Sequence, residues 1–320
     1  MAAHAYWQLR ITVNGGGGAV SITELEMYNS AGTYLCTGGT AFSDDHASSF
    51  VAANAFDANM GTFWASGHGP SGGSPSFLGY HFASPVDVAC VRLTPRTDLL
   101  NQSPNTFTIQ YSDDGSTYTD AVSASGVTWH LTNIITRSWA VGTPAAGAYV
   151  GWRVNISAVN GGGANAAGVA TLEWRNSVGG SQLASATVTQ YGIESTEASG
   201  QPASLAYDTN PATSWGSASA PPQWLGFSFA QAYAMRQLVM AARNDSTFYS
   251  TQSPSAFTVE GSNDGGMTWT TVATITPAAW TSAGQSQTFT LGASGGAGLF
   301  RAGPLSGIGS GGPFFINPLN

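Results

Sequence analysis

The chain has 320 residues, only 8% of them charged, with nine basic residues against 17 acidic ones and a net charge of −8. Every basic residue is arginine, and with the net charge at −8 the sequence offers neither a footprint for a nucleic-acid backbone nor a polybasic patch for an anionic membrane. The 42% hydrophobic and 11% aromatic content excludes a solvated disordered chain, no run is long enough for a membrane-spanning helix, and the N-terminus lacks the basic start and apolar stretch of a signal peptide.

Trp7 to Tyr28 opens the chain with strand-like alternation, interrupted by Gly15 to Gly18 and closing on Glu24-Leu25-Glu26. A phosphate-cradling loop of the Walker kind needs a lysine, so the glycine run is read as a flexible connection. Cys36 and Cys90 can form a disulfide or stand as two buried free thiols, and the second is the reading adopted. Asp44-Asp45-His46 reads as a solvated loop rather than an acid-base or metal cluster. Asp57-x-Asn59-x-x-Thr62-x-Trp64 puts three oxygen-bearing side chains on a short loop, followed by a tryptophan expected in the core rather than as a sugar platform. Phe77 to Phe82 predicts a strand, and Leu93 to Asp98 ends another on Arg96-x-Asp98, with Asn101 beyond it. Phe107, Ile109 and Tyr111 share one strand face, and Asp113-Asp114-Gly115 closes a hairpin.

The same series then returns about 150 residues further on, which marks a duplicated domain rather than a short solenoid repeat. Leu172-Glu173 repeats Leu25-Glu26, and Asp208-x-Asn210-x-x-Thr213-x-Trp215 repeats the oxygen-bearing loop. Trp224 to Phe229 repeats Phe77 to Phe82, Arg243-x-Asp245 repeats Arg96-x-Asp98, and Asn263-Asp264-Gly265 repeats the hairpin turn. The predicted domains are 1–142 and 148–291, each large enough for its own apolar core. Residues 292–320, rich in glycine, proline and apolar side chains, are read as a docking or oligomerisation arm, with a disordered terminus as the alternative.

These motifs, in this order and in duplicate, resemble the discoidin or coagulation-factor type C family and the related galactose-binding-like carbohydrate-binding modules, over about nine tenths of the chain. The resemblance implies an all-β fold of two tandem jelly-roll β-sandwiches of eight strands each. The strand carrying Glu24-Leu25-Glu26 comes last in the usual family order and first here, so the units look circularly permuted. Tandem units of this kind also resemble those of tailed-phage virion proteins, by architecture alone.

Asp57, Asn59 and Thr62, with loop carbonyls, suit a hard cation such as calcium. The resemblance implies a glutamate from the closing strand to complete the cage. Glu24 and Glu26 both qualify in the first unit, whereas the second offers Asp208, Asn210, Thr213 and Glu173, with Thr171 at the other place. The alternative is an Asx-turn in which Asp57 or Asp208 bonds its own loop amides. Arg96, Asp98 and Asn101 resemble the sugar-contacting set of galactose-binding modules, and Arg243, Asp245 and Tyr249 are their counterparts. A guanidinium and an amide offer several donors to vicinal hydroxyls, and a nearby ring can stack on the sugar. The alternative is an Arg–Asp pair that only braces the loop.

No nucleophile elbow, zinc-ligand helix or Cys-x-x-Cys pair occurs, so a non-enzymatic role is expected. The leading expectation is a virion component of a tailed phage or phage-like particle, present in many copies. It would bind a host-surface glycan and contact other virion proteins through the C-terminal arm. The alternatives are a purely structural decoration or tail protein, and an accessory carbohydrate-binding module of a bacterial glycosidase at the bacterial cell surface or outside the cell.

Overall fold

The computed structural model describes residues 2–70, 74–129, 136–184, 191–245 and 247–292, so the arm expected over 292–320 lies almost wholly outside the described residues. Unit one comprises β1 (His4–Asn14), β2 (Ser21–Tyr28), β3 (Thr40–Ser43), β4 (Trp64–Ala65), β5 (Ser76–Val86), β6 (Cys90–Pro95), β7 (Pro104–Ser112), β8 (Thr119–Ala124) and β9 (Arg137–Ala140). A five-stranded sheet in the order β3-β5-β1-β7-β8 faces a four-stranded sheet, β4-β2-β6-β9, and all the pairings are antiparallel.

Unit two comprises β10 (Tyr149–Val159), β11 (Gly168–Val169), β12 (Thr171–Arg175), β13 (Gly192–Glu194), β14 (Trp215–Gly216), β15 (Gln223–Tyr233), β16 (Gln237–Ala241), β17 (Pro254–Ser262), β18 (Thr270–Ile275) and β19 (Ser286–Thr290). Its sheet β13-β15-β10-β17-β18 repeats the first unit strand for strand. Its second layer divides at Ala170 into β12-β16-β19 and β11-β14. Each unit is thus a jelly-roll sandwich with more strands than the eight expected, because two-residue pieces such as β4 and β14 form strands of their own. The first strand of each unit sits at the centre of its larger sheet, β1 between β5 and β7 and β10 between β15 and β17. A segment that opens the chain therefore fills a slot between later strands, as a permuted order requires.

Period-two alternation builds both cores. Trp7, Leu9 and Ile11 of β1 point inward with Leu78, Tyr80 and Phe82 of β5, and meet Leu25, Met27, Val91, Leu93 and Trp139 from the facing layer. Phe107 and Ile109 are buried as expected, with Tyr111 partly buried against the same core. Trp64 and Trp215 are both fully buried, so neither is a sugar platform. Cys36 and Cys90 are buried free thiols. On the outer face of β1 and β5, Tyr6 stands opposite His81 with the rings stacked 4.0 Å apart; the matching pair in unit two is Gly151 opposite Ser228.

The glycine runs are pinned rather than flexible. Gly15 and Gly17 donate to the carbonyls of Ser103 and Asn101, and a Cβ at Gly15 would come within 2.9 Å of the Asn101 Cα. Gly161 lies equally close to Thr251 in unit two.

The outer face of β2, β6 and β9 lies against the outer face of β10 and β15, joining the units. At the centre Arg92 grips Glu26 (Nε to Oε2 2.8 Å, Nη2 to Oε1 3.0 Å), and the hydroxyls of Tyr28 and Tyr191 donate to the same carboxylate at 2.6 and 2.8 Å. The guanidinium carbon lies 3.3 Å from the centre of the Tyr191 ring. Burial opposes the charge on Arg92, but Glu26 and the tyrosines outweigh it and hold its pKa above the usual value. Beside this pair, the turn of residues 263–265 lines up against β9: Ala140 N donates to Asn263 O and Gly265 N to Ser138 O, each at 3.0 Å. Gly265 has φ +73°, and a Cβ there would meet the Trp139 ring at 2.4 Å.

Candidate functional site

The tip of unit one forms where β6 runs out into the loop that follows Pro95. Arg96 chelates Asp98 through Nε (2.8 Å) and Nη2 (2.6 Å), and this pairing holds the Asp98 carboxyl below the usual carboxylate range. Its guanidinium carbon sits 3.8 Å from the centre of the Phe63 ring, and Phe63 stacks on Phe50 at 4.4 Å. Among the described residues Nη1 of Arg96 makes no hydrogen bond. Asn101 is exposed, and its carbonyl anchors Gly17. Phe50, Val51 and Leu99 are exposed large apolar side chains around it. The structure thus brings Arg96, Asp98 and Asn101 to one tip and adds Phe50 and Phe63, which the sequence reading missed. Phe63 sits in the Asp57-to-Trp64 motif itself, directly before the core tryptophan.

The tip of unit two is built differently. Arg243 is only 5% exposed, and its guanidinium holds Asp245 through Nε and Nη2 while Nη1 donates to Gln252 at 2.9 Å and Gln201 at 3.2 Å. Every nitrogen of the group is engaged, so here the bracing alternative describes the geometry. Phe248 covers the guanidinium at 4.6 Å, whereas Tyr249 packs against the core. Ser214 and Gln201 stand where unit one has aromatic side chains at or next to the matching positions, which removes the platform.

The oxygen-bearing loops adopt the Asx-turn in both units. Asp57 Oδ1 accepts Asn59 N at 2.9 Å, Thr62 donates to the Asp57 carboxylate, and Ala58 takes φ +57°. Asp208, Asn210 and Thr213 repeat the pattern, with Thr209 at φ +59°. Glu24 separates the two loops. Its carboxylate is buried with neither oxygen hydrogen-bonded, and burial together with Glu26 and Asp57 pushes its pKa up to about 8, against the pull of the Ala58 and Asn59 amides. Two orphaned carboxylate oxygens beside an Asp, Asn and Thr loop fit a hard divalent cation, whose charge would offset that burial. Glu26 does not join this set, because it is committed to Arg92 at the unit junction. Glu173 pairs with its strand neighbour Arg175, and Thr171 occupies the place of Glu24, so β12 supplies no counterpart of the Glu24 carboxylate.

Asp44 and Asp45 gather His68 rather than His46. The His68 Nε2 lies 3.2 Å from Asp44 and 3.8 Å from Asp45, while His46 bonds Ser48 O. Both aspartates also cap backbone amides, Phe77 N and Gly67 N, which is a loop-closing role. Glu194 is a further buried carboxylate that the sequence did not single out; it accepts from Ala203 N and Trp215 Nε1.

The F5/8 type C domain family matches the chain twice, over residues 39–166 and 185–311. The first match begins beside β3 and runs through β10, the opening strand of unit two. The second begins after β12 and continues past Leu291. The family's own strand order therefore straddles the boundary between the spatial units, which agrees with the permuted arrangement. No curated protein and no solved structure matches the chain. On these two matches, which together span most of its length, the chain belongs to the F5/8 type C domain family.

Proposed function

We propose that this protein is a non-enzymatic, carbohydrate-binding component of a tailed phage or phage-like particle, displaying its first jelly-roll to a host-surface glycan. The observation that carries the reading is the unit-one tip, where an arginine with an open nitrogen lies on stacked aromatic rings and its loop carries an exposed asparagine five residues on. Guanidinium and amide donors suit vicinal hydroxyls, and the apolar rim suits the hydrophobic face of a sugar. Recognition by one such tip is weak, and many copies on a particle would make it effective through avidity. The arm after Leu291 is the candidate contact to neighbouring virion proteins or to other copies of the chain. Calcium is proposed for unit one alone, held by Glu24 with the Asp57, Asn59 and Thr62 loop; it would fix the loop that ends on Phe63.

The test is a glycan array of multimerised protein, with and without a chelator, comparing the parent chain with Arg96→Ala and Asn101→Ala. Binding that disappears in both variants supports the reading, and chelator sensitivity supports the ion. Array signal unchanged by Arg96→Ala would reject the tip as the recognition site. A second reading is a purely structural virion protein, favoured by the fully engaged Arg243. It predicts no glycan binding by a well-folded multimer and intact assembly of an Arg96→Ala particle.

A further inference from the structure

The junction between the units encloses a cleft of about 200 Å³. Thr136, Arg137 and Ser138 of unit one form one wall, and Arg153, Trp224 and Trp269 of unit two form the other. Arg153 is flanked by two indoles, its guanidinium carbon 4.2 Å from the Trp269 ring centre and 5.5 Å from that of Trp224. Glu260 takes only its Nε, at 2.6 Å, and divides its other oxygen between Asn155 and Thr258. Both Nη atoms of Arg153 therefore make no hydrogen bond among the described residues, leaving the end-on edge that receives a carboxylate in bidentate fashion.

Arg137 adds a second guanidinium with no carboxylate within 4 Å among the described residues. It spends Nη1 on Gly265 O and Nη2 on Thr128 O, and its Nε is buried without a partner. Burial lowers its pKa to about 10, with Asp264 the nearest opposing charge; that carboxylate is taken up by Ser262, Met267 and Thr268 in its own turn. Ser138 is 2% exposed and faces the Cys90 thiol. The cleft thus combines the open Nη edge of Arg153, a second guanidinium and two indoles, in a volume near that of one sugar ring.

We propose that this cleft binds a carboxylated pyranose, a uronic acid unit of an acidic glycan, with its carboxylate on the Nη edge of Arg153 and its ring beside Trp224 and Trp269. The site is separate from the unit-one tip and does not depend on the tip reading. Either unit alone supplies only one wall, so the cleft is a property of the duplicated chain.

The experiment titrates the full chain with glucuronate, galacturonate, glucose, galactose and acetate, followed by tryptophan fluorescence and ligand-observed NMR. The uronates are expected to bind at least tenfold more tightly than the neutral sugars and than acetate, with affinity falling as salt rises. Arg153→Gln and Trp269→Ala should each weaken uronate binding tenfold or more, and Arg96→Ala should leave it unchanged. Trp269→Ala keeps the test decisive if Arg153→Gln fails to fold, because Trp269 is half-buried and its only polar bond is to Gly266 O. The proposal is overturned if uronates do not bind, if neutral sugars bind equally well, or if Arg96→Ala abolishes binding while Trp269→Ala preserves it.

Discussion

Replacing Arg92 by leucine removes the cation at the centre of the unit junction. The side chains of Arg92 and Glu26 are 4% and 10% exposed, so the carboxylate that remains is buried without its counter-ion. Breaking a buried pair by deleting one partner costs about 3–5 kcal/mol. Here the hydroxyls of Tyr28 and Tyr191 still donate to Glu26, which places the expected loss near the lower end, about 3 kcal/mol. The strain falls on the contact between the units, so calorimetry and urea unfolding should resolve two transitions where the parent shows one. A Glu26→Leu, Arg92→Leu double variant, which removes the stranded charge, should recover at least half of the loss. The reasoning fails if Arg92→Leu costs less than about 1 kcal/mol, or if the double variant is no more stable than the single one.

Glu24→Gln should remove the calcium-dependent stabilisation expected of the parent, about 2.7 kcal/mol at a calcium concentration a hundredfold above Kd; no gain in the parent, or an equal gain in the variant, would reject Glu24 as a ligand. Glu194 gives a pH signature. Burial raises its pKa to about 8, so between its ordinary value of 4.5 and 8 the folded chain holds a proton that the unfolded chain releases. Its contribution to stability is therefore present at pH 4.5 and lost as pH rises towards 8, by on the order of 2 kcal/mol after relaxation is allowed for. Glu194→Gln should flatten that fall in metal-free melts, and an unchanged slope would assign the effect elsewhere. Gly265→Ala places a methyl against the Trp139 ring from a left-handed backbone position, so it should cost about 2 kcal/mol or more and loosen the junction, read as faster amide exchange along β9.

The duplication, the sandwich class and the buried tryptophans of the repeated loop were legible because they rest on local alternation and on motifs stated twice. Glu26 was not, since it looks interchangeable with Glu24 until the β2–β6 register sets it opposite Arg92 and a second sheet covers both. The platform at the tip escaped for a similar reason: Phe50 and Phe63 are ordinary apolar loop residues in sequence and become a stack only when two loops meet. The glycine runs read as slack because nothing local shows that the backbone of the turn leading into β7 or β17 passes within contact distance. Arg96 and Arg243 share a motif but not a set of partners, and the difference comes from Gln201 and Gln252, which reach Arg243 from separate loops.

The stacked pair Tyr6 and His81 makes the outer face of unit one unlike the matching face of unit two. Unit one leans on unit two at a place where the opposing strands carry Gly151 and Ser228, side chains small enough to admit another sheet. A contact of this head-to-tail kind, if every unit offered both surfaces, would propagate into an open filament. Unit one wears two aromatic rings over the corresponding spot, so its own landing face is already roofed. The pair behaves as a spacer written into one copy of the repeat, so this face of unit one does not receive a second sheet in the way that unit two receives unit one.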